Sequence, residues 1–432
     1  MRVRLEKITF FSIVLFLPVQ LGKHFWPAFS FVTGVRVDYL SPTLYVTDIL
    51  IVILFIATLL HSSIVKQIRL NLNRVLNHLP RTLFFLFVFT LVLGMIAAKS
   101  PQAAFYGIIK ILEFSFLGLY VAKNFRKKNI EALVTIFSVD VVVVSLITIW
   151  QFLQQGSIGG LWYFLGERTF TSSTIGIANM NIDGTLVLRP YATFPHPNVL
   201  AFFLFFANMI IFYRLFYEKK NIKKMLSIFI LMVSSVALFL TFSRVIILLY
   251  VIIAFYLGLK YIRKKIVILI TLAFLFFLFV STSFSYRFFD SASLIRDWRM
   301  RAELINISMS LFKKHPYFGA GLKNFFYYQP LYQKTITPTL FQPVHNIFIL
   351  VLVETGVVGF IIFCTFLIHT FRVLLRKIKK VRDREVKDFY KATMVIFVSM
   401  IIVGMFDHFF LTLQQGQLVL ALILGFAWTR MK

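Results

Sequence analysis

The feature that most limits what this chain can fold into is a series of long uncharged apolar runs, such as 225–240 and 266–280. Each is near the length needed to cross a hydrocarbon core. In lipid the backbone must satisfy its own hydrogen bonds, which leaves only helices and closed barrels. The runs lack the alternation of a barrel strand, so the expected fold class is all-α, a polytopic transmembrane helical bundle. Composition agrees. Of 432 residues, 59% are hydrophobic and 15% charged, and Phe alone accounts for 53. A soluble domain is nearer half apolar, with about a quarter of its residues charged.

The formal net charge of +29 is of the size that basic nucleic-acid binders carry. Its distribution argues against a nucleic-acid partner. The basic residues fall in short clusters between apolar runs, as the positive-inside rule expects. Membrane lipid is the expected surrounding. A single cysteine, Cys364, excludes a disulfide within the chain and a cysteine metal site. The first run follows Arg2, Arg4 and Lys7 as in a signal peptide, but no small-residue cleavage site follows it, so it is read as a span.

The clusters predict about twelve spans, at 8–22, 44–61, 82–98, 104–122, 132–152, 197–214, 225–242, 244–260, 266–284, 345–371, 392–406 and 412–428. Residues 1–432 then form a single integral membrane domain with both termini on the cytoplasmic side. A large extracytoplasmic loop, 285–344, lies between spans nine and ten. The other informative outer segments are 23–43, 153–196 and the turn at Asp407 and His408. No internal repeat is evident, which weakens an inverted-repeat transporter. In the long loop Ile295, Trp298, Ala302, Ile305, Met309 and Phe312 recur every three or four residues, opposite Arg296, Arg299, Glu303 and Lys313. That spacing predicts an amphipathic surface helix, ended by the breakers of His315–Gly321.

Several polar residues stand out against this background. The segment Arg189–Asn198, with His196 inside it, carries three prolines and leads straight into a span. Arg189 offers a planar donor fork that suits a phosphate, and the alternative is a turn with an interfacial arginine. Ser243-Arg244 falls between two apolar runs on the outer side, where an arginine is unexpected. A guanidinium at membrane depth needs an anion or a wet cavity, unless it snorkels to the headgroups. His345-Asn346 opens the tenth span, with Glu354, Gly356 and Gly359 following. A histidine at a bundle mouth can act as a base near neutral pH, or simply end a helix. Glu354 is half a turn off the His345 face and needs a partner, with Lys110 the first choice. Lys110 and Glu113 share a helix face and could pair with each other, whereas Asp140 has no evident partner. Asp407-His408 reads as either a wet loop or part of a site mouth. Arg36-Val37-Asp38 is a weak acidic candidate in the first outer loop. No P-loop, no GxGxxG and no zinc spacing is present, so neither a cofactor nor a metal is expected.

Together these pieces resemble the O-antigen ligase and O-antigen polymerase family. The likeness is strongest over 290–360, where the amphipathic helix, His315-Pro316 with Gly319 and Gly321, and His345-Asn346 with Glu354, Gly356 and Gly359 are similar to its C-terminal signature. The stretch 189–201 looks like its central motif and Thr241-Phe242-Ser243-Arg244 like the next. The resemblance implies a metal-independent, polyprenyl-pyrophosphate-dependent glycosyltransferase, ligase or polymerase, of cell-surface polysaccharide biosynthesis. It would sit in the bacterial cytoplasmic (inner) membrane with its active site on the extracytoplasmic face. The donor would be a polyprenyl-pyrophosphate-linked glycan, and the acceptor a hydroxyl on glycan, lipid or protein. By motif position, Arg189 and Arg244 would bind the pyrophosphate and His345 would take the acceptor proton. Arg287 and Arg301 are weaker donor-binding candidates, and His196, Asn198, Asn346, Glu354 and His408 supporting ones. The competing class is a polyprenyl-linked glycan flippase or transporter, which would use Lys110, Glu113, Asp140 and Glu354 instead.

Overall fold

The computed structural model describes residues 2–61, 81–182, 185–261, 291–332 and 341–431. The chain is mostly helical. Its helices are α1 (Arg2–Leu15), α2 (Val46–His61), α3 (Arg81–Ile96), α4 (Pro101–Asn124), α5 (Ile130–Gln154), α6 (Pro197–Leu215), α7 (Asn221–Leu240), α8 (Arg244–Tyr261), α9 (Ser291–Lys314), α10 (Phe325–Tyr328), α11 (Ile347–Lys380), α12 (Arg384–Gly404), α13 (Phe409–Thr412) and α14 (Gln414–Trp428). Among the described residues five helical stretches are long and apolar enough to cross a membrane: Pro101–Asn124, Lys127–Gln154, Pro197–Leu215, Asn221–Leu240 and Ile347–Lys380. Shorter apolar helices lie at Val46–Leu60, Leu86–Ile96, Arg244–Leu259 and Gln414–Trp428. Every expected span falls at least partly on a helix except 266–284, which lies outside the described residues.

Among the described residues the strands lie in, or at the edges of, two of the expected outer segments, 23–43 and 153–196. Short antiparallel pairs join β1 (Gly22–His24) to β4 (Thr43–Tyr45) and β2 (Phe31–Val32) to β3 (Val35–Arg36). A third joins β5 (Asn179–Ile182) to β6 (Thr185–Leu188), with Asn179 opposite Leu188.

The chain forms two compact units. The first comprises 1–17, 22–133 and 301–432, the second 18–21 and 134–300. In the first, α4 and α14 cross closely on small residues. A Cβ on Gly425 would lie 2.6 Å from Val121 Cβ, and one on Gly118 3.3 Å from the Ala421 carbonyl. Small residues let backbones approach this way where lipid offers no hydrophobic drive. Beside this crossing Lys110 Nζ lies 3.0 Å from Asp48 Oδ1 and 2.8 Å from Glu113 Oε2. Gln414 of α14 donates to Thr47 Oγ1 at 2.9 Å and also to Asp48. The expected Lys110–Glu113 pair is present and is completed by Asp48.

In the second unit α6 is apolar all round and buried along nearly its whole length, as a central helix should be. Phe206 of α6 meets Phe137 of α5 edge-on at 5.2 Å, and Asn208 of α6 accepts from Ser234 of α7 at 2.7 Å.

Helix α9 ends at Lys314, just before His315-Pro316, as its breakers predict. Its inward face differs from the expected stripe. Leu304, Ile307 and Leu311 are buried with Phe325, Val344, Leu350 and Val353, while Ile305 and Phe312 only flank them. Ile295 and Trp298 are 52% and 69% exposed. The helix has two apolar stripes, and the one with leucines at helical spacing packs inward.

Candidate functional site

In the second unit the motif around Arg189 and the motif around Arg244 form one hub. Arg189 is buried, and its Nε–H donates to the Thr241 carbonyl at 2.9 Å. Its Nη2 donates to Asn198 Oδ1 at 2.7 Å. One guanidinium thus ties together the end of α7, the start of α6 and the strand that delivers it. His196 caps α6, its Nδ1 accepting from the Asn198 amide at 3.1 Å. Arg244 begins α8 just beyond Thr241 and is half-buried.

Two non-glycine residues in these turns have left-handed backbones, Ala192 at φ +48° and Phe242 at φ +50°. Such conformations persist only where the surroundings over-determine them. At Ala192 the cause is Gln151 of α5. Gln151 Oε1 accepts from the Tyr191 and Ala192 amides at 3.0 and 2.7 Å, and its Nε2 donates to the Ala192 carbonyl at 3.0 Å. The same Nε2 donates to Glu167 Oε1 at 2.7 Å. Glu167 in turn accepts from the amides of Ile158 and Gly159, each at 2.7 Å.

In the first unit a second cluster gathers at helix ends. Asn346 caps α11, its Oδ1 accepting from the Phe348 and Ile349 amides at 2.8 and 3.1 Å. Its Nδ2 donates to the Met405 carbonyl at 3.1 Å, and Arg301 Nη1 donates to the next carbonyl, Phe406, at 2.9 Å. These bonds fix the 405–408 turn against α9 and α11. The turn brings the His408 ring to 5.0 Å from His345, centroid to centroid. His345 Nε2 faces Gln342 Oε1 at 3.1 Å, and His408 Nδ1 faces Thr412 Oγ1 at 2.6 Å. Asp407 Oδ1 accepts from the His408 amide at 2.8 Å. Asp407 and His408 are 7% and 3% exposed, so they are not a wet loop.

Behind His345, α11 is broken at Gly356, where φ is +66° and ψ −174°. The 316–321 backbone fills the break. The Ala320 and Gly321 amides donate to the Val353 and Glu354 carbonyls at 2.9 and 3.0 Å. The Val357 and Val358 amides donate to the Pro316 and Tyr317 carbonyls at 2.9 and 3.3 Å. A broken helix at membrane depth is tolerated only when its freed groups are satisfied in this way. A Cβ on Gly356 would strike the Tyr317 carbonyl, and one on Gly319 the Glu354–Thr355 peptide.

The sequence expectations divide accordingly. Arg189, Asn198, His196 and Arg244 are held in the second unit, and His345, Asn346, His408 and Arg301 in the first. Arg287 lies outside the described residues. Glu354 does not pair with Lys110, whose ammonium is taken by Asp48 and Glu113. The charge that acts on Glu354 is Lys323, in the loop that fills the helix break. Burial pushes the Lys323 ammonium down, against the attraction of Glu354. Asp38 pairs with Arg36 at 3.7 Å on an exposed face, and Arg36 stacks on Trp26, which gives the Arg36–Asp38 segment a structural use. Gln151, Gln342 and Thr412 were missed. Each is an uncharged polar residue whose value lies in its partners, which sequence spacing does not reveal.

No curated protein matches this chain. Residues 228–364 match a family model described as O-antigen ligase. The matched segment takes in Thr241–Arg244, α9, the 315–321 loop and the His345 to Gly359 motif, and leaves out Arg189 and His196. The expected resemblance is borne out: over residues 228–364 this chain is similar to the O-antigen ligase family.

Proposed function

We propose that the protein is an O-antigen-ligase-type membrane glycosyltransferase that moves a glycan from a polyprenyl pyrophosphate to an acceptor hydroxyl on the extracytoplasmic face. The observation that carries the reading is the family match, whose segment includes both Arg244 and His345. The twelve-span arrangement with cytoplasmic termini in a bacterial inner membrane belongs to the same proposal, supported by the basic clusters between spans.

The chemistry follows from the donor. A polyprenyl pyrophosphate is already an activated leaving group, so no nucleotide is needed. Breaking the anomeric bond adds negative charge to the phosphate oxygens. Fixed positive groups aimed there stabilise the transition state more than the ground state. Arg189 and Arg244 supply that charge without changing protonation, which frees the reaction from a metal at the pyrophosphate. The acceptor hydroxyl loses its proton as it attacks, and His345 is the base. The apolar spans hold the polyprenyl tail, and the 285–344 loop shapes the acceptor side. The flippase alternative loses support from Lys110 and Glu113, which are committed to a buried cluster with Asp48.

The test is to supply the purified protein with a polyprenyl-pyrophosphate-linked glycan and an acceptor, and to read transfer by mass spectrometry. Joined product is expected. In cells lacking the gene, full-length polymer left on the carrier would identify a ligase, and single repeat units a polymerase. Intermediates trapped on the inner leaflet would replace this reading with a flippase.

A further inference from the structure

The first unit brings together three residues that no sequence spacing joins as a metal motif. His345, Asp407 and His408 each present a ligand atom, and these atoms all lie within 4.8 Å of one another. We propose that they form a binding site for a divalent transition metal of the zinc class.

Four observations support the site. The donor set of two imidazoles and one carboxylate is one that zinc and its neighbours accept, with a further position left for water. One nitrogen of each imidazole is engaged by a neutral oxygen, Gln342 Oε1 for His345 and Thr412 Oγ1 for His408. Ligating histidines are held in this manner by outer partners that fix the ring. Asp407 is oriented by the His408 amide. The backbone carrying Asp407 and His408 is itself pinned, by Asn346 at Met405 and by Arg301 at Phe406. The donors would close to about 3.3 Å of one another around a tetrahedral ion with bonds of about 2.0–2.1 Å.

The consequence rests on the reading of His345 as the base. A metal on His345 occupies the lone pair that would receive the acceptor proton. The ion is therefore an inhibitor, and the site couples transfer to the free metal concentration outside the cytoplasm.

The experiment uses the full-length, tag-free protein in lipid nanodiscs, with Zn2+ in competition with a chromophoric chelator and Co2+ as a spectroscopic probe. About one ion per chain is expected, and Asp407→Asn or His408→Gln should weaken binding by at least the roughly 10–100-fold typical of losing an outer partner, whereas Asp38→Asn should not. Wild-type protein should also give Co2+ the intense visible bands of a low-coordinate nitrogen–oxygen site, a reading that needs no variant. Cobalt that keeps only the weak spectrum of the hydrated ion, or zinc binding unchanged in both variants, overturns the site. Transfer is then measured with and without Zn2+. If nothing binds while His345→Ala is inactive, the metal site falls and the base stands. If zinc binds through these residues and transfer continues undiminished, the site stands and the base falls.

Discussion

The arginine hub of the second unit and the imidazole cluster of the first are built in opposite ways. The hub wraps a charge that never changes. Arg189 is buried on a carbonyl and an amide oxygen, and the turns around it hold two left-handed non-glycine residues. The imidazole cluster places groups that can gain or lose a proton at helix ends, pinned through their neighbours' backbone. A permanent cation tolerates burial if enough dipoles surround it, and strained loops can supply them at fixed positions. The imidazoles sit where helices begin and end, His345 part-buried and His408 buried beside it. On the function proposed above, the second unit would serve the donor and the first proton transfer.

The largest expected effect separates the two. His345→Ala should lower transfer by about 10²–10⁴-fold, the usual worth of a general base, while binding of labelled donor stays unchanged. A well-folded His345→Ala protein with normal turnover would break the contrast at once. Next comes Gln151→Leu, which strands the Tyr191 and Ala192 amides and the Ala192 carbonyl. It should cost about 3 kcal/mol or more in unfolding of the reconstituted protein, because buried groups left unsatisfied carry their full desolvation cost. Donor binding should weaken with it, and transfer from saturating donor should survive. Arg244→Ala should reduce donor affinity by about 10–100-fold, the range for a hydrogen bond to a charged group. Equal losses in donor affinity from Arg244→Ala and His345→Ala would merge the two regions into one. The smallest effect belongs to Asp38→Ala. Removing this exposed partner of Arg36 should change stability by less than about 1 kcal/mol and leave transfer untouched.

Much of this was legible in the sequence. Long uncharged runs announce helices because lipid allows little else, and among the described residues the helices stand where the runs do. Arg189, Arg244 and His345 were visible because a charge or an imidazole is costly beside an apolar span. Residues of no intrinsic cost stayed hidden. Gln151 is one glutamine among apolar neighbours, and only the fold shows that it clamps a turn forty residues on. Glu354 was misassigned to Lys110 because spacing along one helix says nothing of a loop that threads in from elsewhere. Asp407 could not be read as buried, since a carboxylate beside a histidine looks the same in a wet turn and in a packed one. The inner stripe of α9 was misplaced because the sequence offers two apolar faces and composition alone does not rank them.

The filled break in α11 bears on how the protein is made. The 316–321 segment leaves the ribosome before the helix it completes, so the template precedes what it shapes. Until the two meet, Val357 and Val358 lack the Pro316 and Tyr317 carbonyls that receive their amides, and an unfilled break would leave those groups unsatisfied. The bend at Gly356 is therefore expected to form late, when the 316–321 loop reaches in. It marks the point at which the chain passes from a set of inserted helices to a finished machine.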